Sequence, residues 1–85
     1  MNDLLENIDK LHTTEMGADR IVKNLGLDTQ DPVSWCKEKT NSDDAIIERK
    51  GKNWYVYVDN AVITINAYSY TIITAHRKAN HGNKS

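Results

Sequence analysis

The chain has 85 residues and lacks several features that define well-known classes of protein. It contains a single cysteine, Cys36, so no disulfide can form within the chain. No stretch approaches the roughly 18 consecutive apolar residues of a membrane span. The acidic start, Met1–Glu6, has neither the basic region nor the apolar core of a signal peptide. These absences exclude an intramolecular disulfide framework and favour a cytoplasmic protein with no membrane partner.

Motifs for metals and cofactors are also missing. No glycine-rich loop that could cradle a phosphate group is present. The donors Cys36, His12, His76 and His81 show no short-range pairing, whereas a structural zinc site needs about four convergent ligands. Cys36 falls in a helical pattern beside Val33, so we expect it to be buried and unreactive. The sequence therefore predicts no metal, no cofactor and no cysteine nucleophile.

Length and charge limit the remaining possibilities. A chain of this size buries only about 60–65% of the surface that its unfolded form exposes, which allows one sheet covered by helices and no second core. Residues 1–44 carry ten acids and five bases, and residues 45–85 carry two acids and six bases. Such asymmetry can mark a polyanion-binding face, and small domains also often segregate charge by chance.

The first half of the sequence predicts three helices. The second helix can be capped by Thr13 or Thr14, and Gly26 suits its left-handed end. The third helix is marked by Asp31-Pro32, a capping residue followed by proline at the first helical position. The predicted spans are about residues 3–11, 13–24 and 31–39.

From Ala45 the hydrophobic period changes to two, which indicates β-strands. Four strands joined by short turns are predicted over residues 45–50, 53–58, 61–66 and 71–77. The predicted fold is α+β, with three N-terminal helices packed on one face of a four-stranded antiparallel β-meander. We expect a single domain over residues 1–78 and a flexible C-terminal tail over residues 79–85.

The turn residues predict the register of the sheet. Two-residue turns at Gly51-Lys52 and Asp59-Asn60 align one apolar face across the first three strands. For the last pair we expect an odd loop that sets Ile65 against Ile73, because a four-residue loop would set Ile65 against Ile72 and bury Thr74. The outward face then carries Ile46, Glu48, Lys50, Tyr55, Tyr57, Val62, Thr64, Asn66, Ile72, Thr74 and His76.

This outward face suggests nucleic-acid chemistry. Aromatic residues interleaved with Lys and Asn on a sheet can stack bases, although the same cross-strand pairs could simply stabilise an open sheet. Cleaving RNA without a metal needs a base, an acid and cations for the phosphate. The candidate catalytic residues are His76, His12, Thr74 and Glu48. The candidate substrate-binding residues are Tyr55, Tyr57, Lys50, Asn66 and Arg77. His12 can take part only if the loop between the first two helices reaches the sheet edge.

Segments spread over nearly the whole chain resemble a family of small bacterial proteins catalogued as a domain of unknown function. These segments are Leu11–Gly17, Arg20–Leu25, Trp35-Cys36, Arg49–Tyr55 and Asn66–His76. That family implies no established activity. The ending Thr71–His76, with its run Ile72-Ile73-Thr74-Ala75, is also distantly similar to the barnase/EndoU/colicin/RelE-like ribonucleases. That resemblance implies an active-site role for Thr74 and for His76. The chain departs from the ribonuclease group because it lacks a second strand-borne histidine or arginine pair.

Three functions remain open from the sequence. The leading hypothesis is a small module that binds RNA, and could cleave it without a metal, through the open face of the sheet. The alternative is a non-enzymatic protein-binding inhibitor, related to phage or defence systems or acting as a toxin partner. A homodimer formed through the same face is the third. The expected partner is thus RNA or a protein, including a second copy of the chain.

Overall fold

The computed structural model of the protein describes residues 3–29 and 31–77. The helices are α1 (Asp3–Glu6), a 3-10 helix (Ile8–Lys10), α2 (Glu15–Leu25) and α3 (Pro32–Thr40), and the strands are β1 (Ile46–Lys50), β2 (Asn53–Val58), β3 (Ala61–Asn66) and β4 (Ile72–Arg77). The strands form one antiparallel sheet in the order β1-β2-β3-β4. The predicted α+β class and four-stranded antiparallel sheet are confirmed. The tail over 79–85, with His81, lies outside the described residues.

Helix α2 begins and ends where its sequence signals predict. The Thr14 hydroxyl accepts a hydrogen bond from the Gly17 N–H at 3.0 Å, which satisfies one of the free donors of the first turn. Gly26 ends the helix in a left-handed conformation, with φ of 64°. A Cβ atom on Gly17 would lie 2.3 Å from the Thr13 hydroxyl oxygen, so glycine lets the helix start lie close against Thr13.

The first predicted helix is wrong as a continuous element. It breaks into the single turn of α1 and the 3-10 helix, with Asn7 between them. The Asn7 side-chain amide donates to the Asp3 carbonyl at 2.8 Å, a local bond that competes with helix propagation. Leu11 then adopts an extended backbone, and Leu4 and Leu11 are both buried despite the break.

The helices cover the inner face of the sheet only in part. Helix α2 lies along β4, and α3 contacts α2 and β2. Strand β1 stays largely exposed, and only Ile47 is half-buried. The buried apolar core consists of Leu4, Leu11, Ile21, Leu25, Cys36, Trp54, Val56, Val58, Ala61, Ile63, Ile65, Ile72 and Ala75.

A β-bulge in β4 corrects the predicted register of the last strand pair. Ile63 lies opposite Ala75, as predicted, but Ile65 lies opposite Ile72 and leaves Ile73 as an extra residue. Ile72 is therefore buried at 1% exposure, whereas Ile73, predicted to be in the core, is 42% exposed. The loop that joins β3 to β4 therefore has an even number of residues, whereas an odd number was predicted. Beyond the bulge, the second half of β4 returns to the predicted pairing with β3.

The edge of β4 is protected by the segment before α2 and by α2 itself. We call residues His12–Thr14 the bridging segment. The His12 N–H donates to the Tyr70 carbonyl at 3.3 Å, and the Ile72 N–H donates to the His12 carbonyl at 2.7 Å. The Thr13 hydroxyl also donates to the Ile72 carbonyl, at 2.9 Å. These bonds satisfy edge groups that would otherwise be open to another strand.

The bulge predicts different costs for two neighbouring isoleucines. Ile72→Ala should lower the free energy of unfolding by about 2–5 kcal/mol, because it leaves a cavity in the core. Ile73→Ala should lower it by less than about 1 kcal/mol, since its side chain is exposed. Urea denaturation followed by tryptophan fluorescence measures both values. Equal costs, or a larger cost at Ile73, would contradict the bulged register.

Candidate nucleic-acid interface

The face of the sheet away from the helices, here called the outer face, is organised in three rows by the strand register. The first row is Ile46, Tyr57, Val62 and His76, the second is Glu48, Tyr55, Thr64 and Thr74, and the third is Lys50, Asn53 and Asn66. Most of these side chains are exposed or half-buried, and Thr64 is the exception at 9% exposure. The predicted outward positions are therefore correct except for Ile72.

The four predicted catalytic residues do not come together on this face. Glu48 and Thr74 share a row, but they lie on the two outer strands, about 14 Å apart at the usual strand spacing. His12 contacts Thr71 at one end of β4, while His76 is near the other end. The interval from Thr71 to His76 corresponds to roughly 16 Å along a strand. No single phosphate group could contact all four side chains.

Two predicted substrate-binding residues are engaged in structural bonds. The Arg77 guanidinium donates to the Leu25 carbonyl at 2.9 Å and to the Asp59 carbonyl at 3.4 Å. It therefore caps the C-terminal end of α2, where a positive charge is favourable. The Asn66 carboxamide oxygen accepts the backbone N–H groups of Tyr68 and Ser69, each at 2.9 Å, and so shapes the β3–β4 loop.

His76 is exposed and has a local partner. Its Nδ1 atom lies 3.0 Å from the Arg77 carbonyl oxygen. It shares its row of the outer face with Tyr57. Val62 on β3 separates His76 from Tyr57 in this row.

The bridging segment brings His12 to the sheet edge, which is the condition for a role of His12 in catalysis. His12 forms a parallel bridge with Thr71, and the Thr71 carbonyl accepts the N–H of Asn66, a third-row residue, at 2.9 Å. Its Nε2 atom lies 3.1 Å from the Thr71 hydroxyl oxygen, and its Nδ1 atom lies 2.9 Å from the Lys10 carbonyl oxygen. The imidazole is therefore held on both sides.

A chain of hydroxyl groups continues from His12 into the β3–β4 loop. The Thr71 and Ser69 hydroxyl oxygens are 2.8 Å apart, and the Ser69 hydroxyl donates to the Asn66 side chain at 3.2 Å. In the same loop, Tyr70 has a left-handed backbone with φ of 61°. A non-glycine residue in this conformation costs of order 1 kcal/mol or more and is often found at functional sites.

The same end of the sheet collects positive charge, and we call it the basic end. It consists of Lys10, Arg49, Lys50 and Lys52. Two of these cations lie on aromatic rings: the Arg49 guanidinium is 5.7 Å from the ring centre of Tyr68, and the Lys10 ammonium is 5.6 Å from that of Tyr70. Lys50 has a nearby acid, because its ammonium lies 3.6 Å from the Glu48 carboxylate.

The loop residues at the basic end were not singled out from the sequence. Tyr68 is 75% exposed, and Ser69 and Thr71 carry the hydroxyl chain. The β1–β2 turn reaches this loop, since the Ala67 N–H donates to the Lys52 carbonyl at 2.8 Å. One sequence signal could have found the site: two adjacent strand turns, one rich in lysine and arginine and the other rich in tyrosine.

Other chemistry is limited in the described part of the chain. Burial raises the pKa of the Cys36 thiol to about 12, so the thiolate is not formed at neutral pH. Among residues 3–29 and 31–77, no group of three or more His, Cys, Asp or Glu side chains could hold a metal ion. None of the helices within these ranges combines the length and the apolar character needed to cross a membrane.

Comparison with known proteins gives one match. A family model described as "Protein of unknown function (DUF3781)" matches residues 5–76. No curated protein and no solved structure matches the chain significantly.

The bonds of Arg77 predict a structural role for this residue. Arg77→Gln should lower the free energy of unfolding by about 1–2 kcal/mol, because the α2 carbonyl loses a charged donor. Arg20→Gln, which removes an exposed arginine from α2, is the matched control and should change it by less than about 0.5 kcal/mol. Urea denaturation gives both values. Equal stability of the two variants would contradict this role.

Proposed function

Because the chain belongs to the DUF3781 family, whose function is unknown, we propose a function from its geometry: a small module that binds single-stranded RNA. The RNA lies across the basic end and along the outer face of the sheet. A cytoplasmic location, expected from the composition, belongs to the same proposal.

The observation that carries this proposal is the meeting of cations and aromatic rings at the basic end, where the ring of Tyr68 is exposed. The Arg49 guanidinium is 5.6 Å from the ring centre of the buried Trp54 and 5.7 Å from that of Tyr68. Tyr68 leaves most of its surface open to a base. Stacking of a base on an aromatic side chain contributes about 1–3 kcal/mol, and nearby cations attract the phosphates.

The outer face offers a continuation for the bound strand. Tyr55 and Tyr57 are two residues apart on β2, so both side chains point outward at a separation of roughly 7 Å. Both are half-buried; Tyr55 lies opposite Glu48 and Thr64, and Tyr57 lies opposite Ile46 and Val62. An open sheet with aromatic side chains suits unpaired bases, because bases within a duplex are already stacked.

The two ends of the sheet carry opposite charge. Asp43, Asp44 and Asp59 lie at the end of the sheet opposite the basic end, and Asp59 forms an ion pair with Lys39. The field along the strands therefore favours phosphate groups near the β1–β2 turn and disfavours them near the β2–β3 turn.

Fluorescence anisotropy with a labelled single-stranded RNA of mixed sequence tests the proposal. We expect binding that weakens steeply as salt is added. The double variant Lys50→Gln/Lys52→Gln should bind more weakly and reduce the slope of log K against log salt by about 1.4, or roughly 0.7 for each lost phosphate contact.

Two further variants distinguish a specific surface from general charge attraction. Arg20→Gln/Lys23→Gln removes the same charge from α2 and should leave affinity nearly unchanged. Tyr55→Thr retains a good strand-forming residue and should weaken binding by a factor of about 5 or more, as loss of one stacked base predicts. Absence of RNA binding, or equal loss in both charge variants, would refute the proposal.

A second candidate function, association with another copy of the chain, is favoured by one observation. Ile46 is 62% exposed on the outer face, in the same row as Tyr57. A symmetric contact through this row would bury both side chains.

The size of the protein in solution tests this candidate. Light scattering coupled to gel filtration should give a dimer for the parent protein and a monomer for Ile46→Lys, because the lysine introduces a charge into the contact. Met16→Lys, at another exposed apolar position, is the matched control and should not change the size. A monomer at all accessible concentrations would rule out the dimer.

A further inference from the structure

The hydrogen bonds of the His12 ring determine which of its nitrogen atoms can accept a proton. Its Nδ1 atom faces the Lys10 carbonyl at 2.9 Å, and a carbonyl oxygen can only accept a hydrogen bond. Nδ1 therefore carries the ring hydrogen in the neutral form, and Nε2 presents its lone pair to the Thr71 hydroxyl at 3.1 Å. A hydroxyl group already donates a hydrogen to the atom that a general base would use.

The hydroxyl chain allows a substrate to replace Thr71 at this atom. The Thr71 oxygen is 2.8 Å from the Ser69 oxygen, and Ser69 donates onward to the Asn66 side chain. If another hydroxyl occupies Nε2, the Thr71 hydroxyl can turn and donate to Ser69 instead. The exchange therefore leaves no protein donor without an acceptor.

His12 and His76 differ in the cations near them in the chain, and cations are what bind a phosphate group. His12 belongs to the bridging segment at the basic end, two residues after Lys10. Among the described residues, the cation that follows His76 is Arg77, whose guanidinium is bonded to the carbonyls of Leu25 and Asp59. Cleavage of RNA needs a base and cations at the same phosphate, and within residues 3–29 and 31–77 His12 is the histidine that lies at the basic end.

We propose that the protein cleaves the RNA it binds, without a metal, with His12 as the general base. This inference rests on the RNA-binding function proposed above. Nε2 of His12 takes the proton of a ribose 2′-hydroxyl, and the 2′-oxygen forms a bond to the adjacent phosphorus. The bond between phosphorus and the 5′-oxygen breaks, and the leaving 5′-oxygen takes a proton from water. The products are a 2′,3′-cyclic phosphate and a 5′-hydroxyl, and the proton on His12 neutralises the hydroxide formed.

The experiment measures binding and cleavage separately on the same RNA, a single strand of mixed sequence, in excess EDTA. Mass spectrometry of the products should detect the 2′,3′-cyclic phosphate and the 5′-hydroxyl ends. The variant His12→Asn keeps a polar side chain that can form hydrogen bonds but cannot act as a base near neutral pH. It should lower the cleavage rate by about 100-fold or more, as expected for loss of a general base. Its affinity for the RNA should change by less than about twofold. His76→Asn tests the other histidine of the described residues and should lower the cleavage rate far less than His12→Asn does.

A DNA strand of the same sequence provides the chemical control, because it lacks the 2′-hydroxyl and should remain intact. RNA that is bound but not cut would overturn the inference and leave the binding function standing. RNA that is not bound would overturn both. Cleavage that survives His12→Asn, or that is lost in His76→Asn, would overturn the role of His12.

Discussion

The rest of the structure depends on the contact between the bridging segment and the start of β4. Two backbone hydrogen bonds and the Thr13 hydroxyl join residues 58 to 60 positions apart in sequence. The same segment supplies Thr14, which caps α2, so the helix begins where the sheet edge holds the chain. Along the rest of the edge, Asn24 donates to the Ala75 carbonyl at 3.3 Å. One contact therefore orients the main helix, protects a strand edge and positions His12.

Strand β4 divides structural and chemical roles between its two faces and its edge. Ile72 and Ala75 enter the core against α2, while Thr74 and His76 face outward. The bulge at Ile73 makes both arrangements compatible with an even loop. That loop carries the exposed tyrosine and the hydroxyl chain of the candidate site. The other edge strand, β1, is largely exposed, and its charged side chains disfavour pairing with another strand.

The elements that could be predicted from the sequence are those with local signals. Turn chemistry at Gly51 and at Asp59-Asn60 fixed three strands and their register, and the caps of α2 and α3 depend on neighbouring residues. The features that were not predicted depend on competing local hydrogen bonds or on contacts between residues far apart in sequence. The Asn7 side chain interrupts a periodic pattern, and the bulge at Ile73 changes the period within a single strand. One partner of His12, Thr71, and one partner of Arg77, Leu25, lie more than 50 positions away, and hydrophobic periodicity gives no information about such contacts.

The separation of His12 from Thr71 along the chain also has a consequence for the timing of assembly. During synthesis the N-terminal segments emerge first, so the pairing of His12 with Thr71 must wait until the start of β4 has been made. A growing chain that lacks β4 has the Lys10 carbonyl for Nδ1 of His12 but no Thr71 hydroxyl for Nε2. The candidate site is therefore unassembled in a nascent chain that still lacks β4, and its hydroxyl chain becomes complete only when β4 joins the sheet.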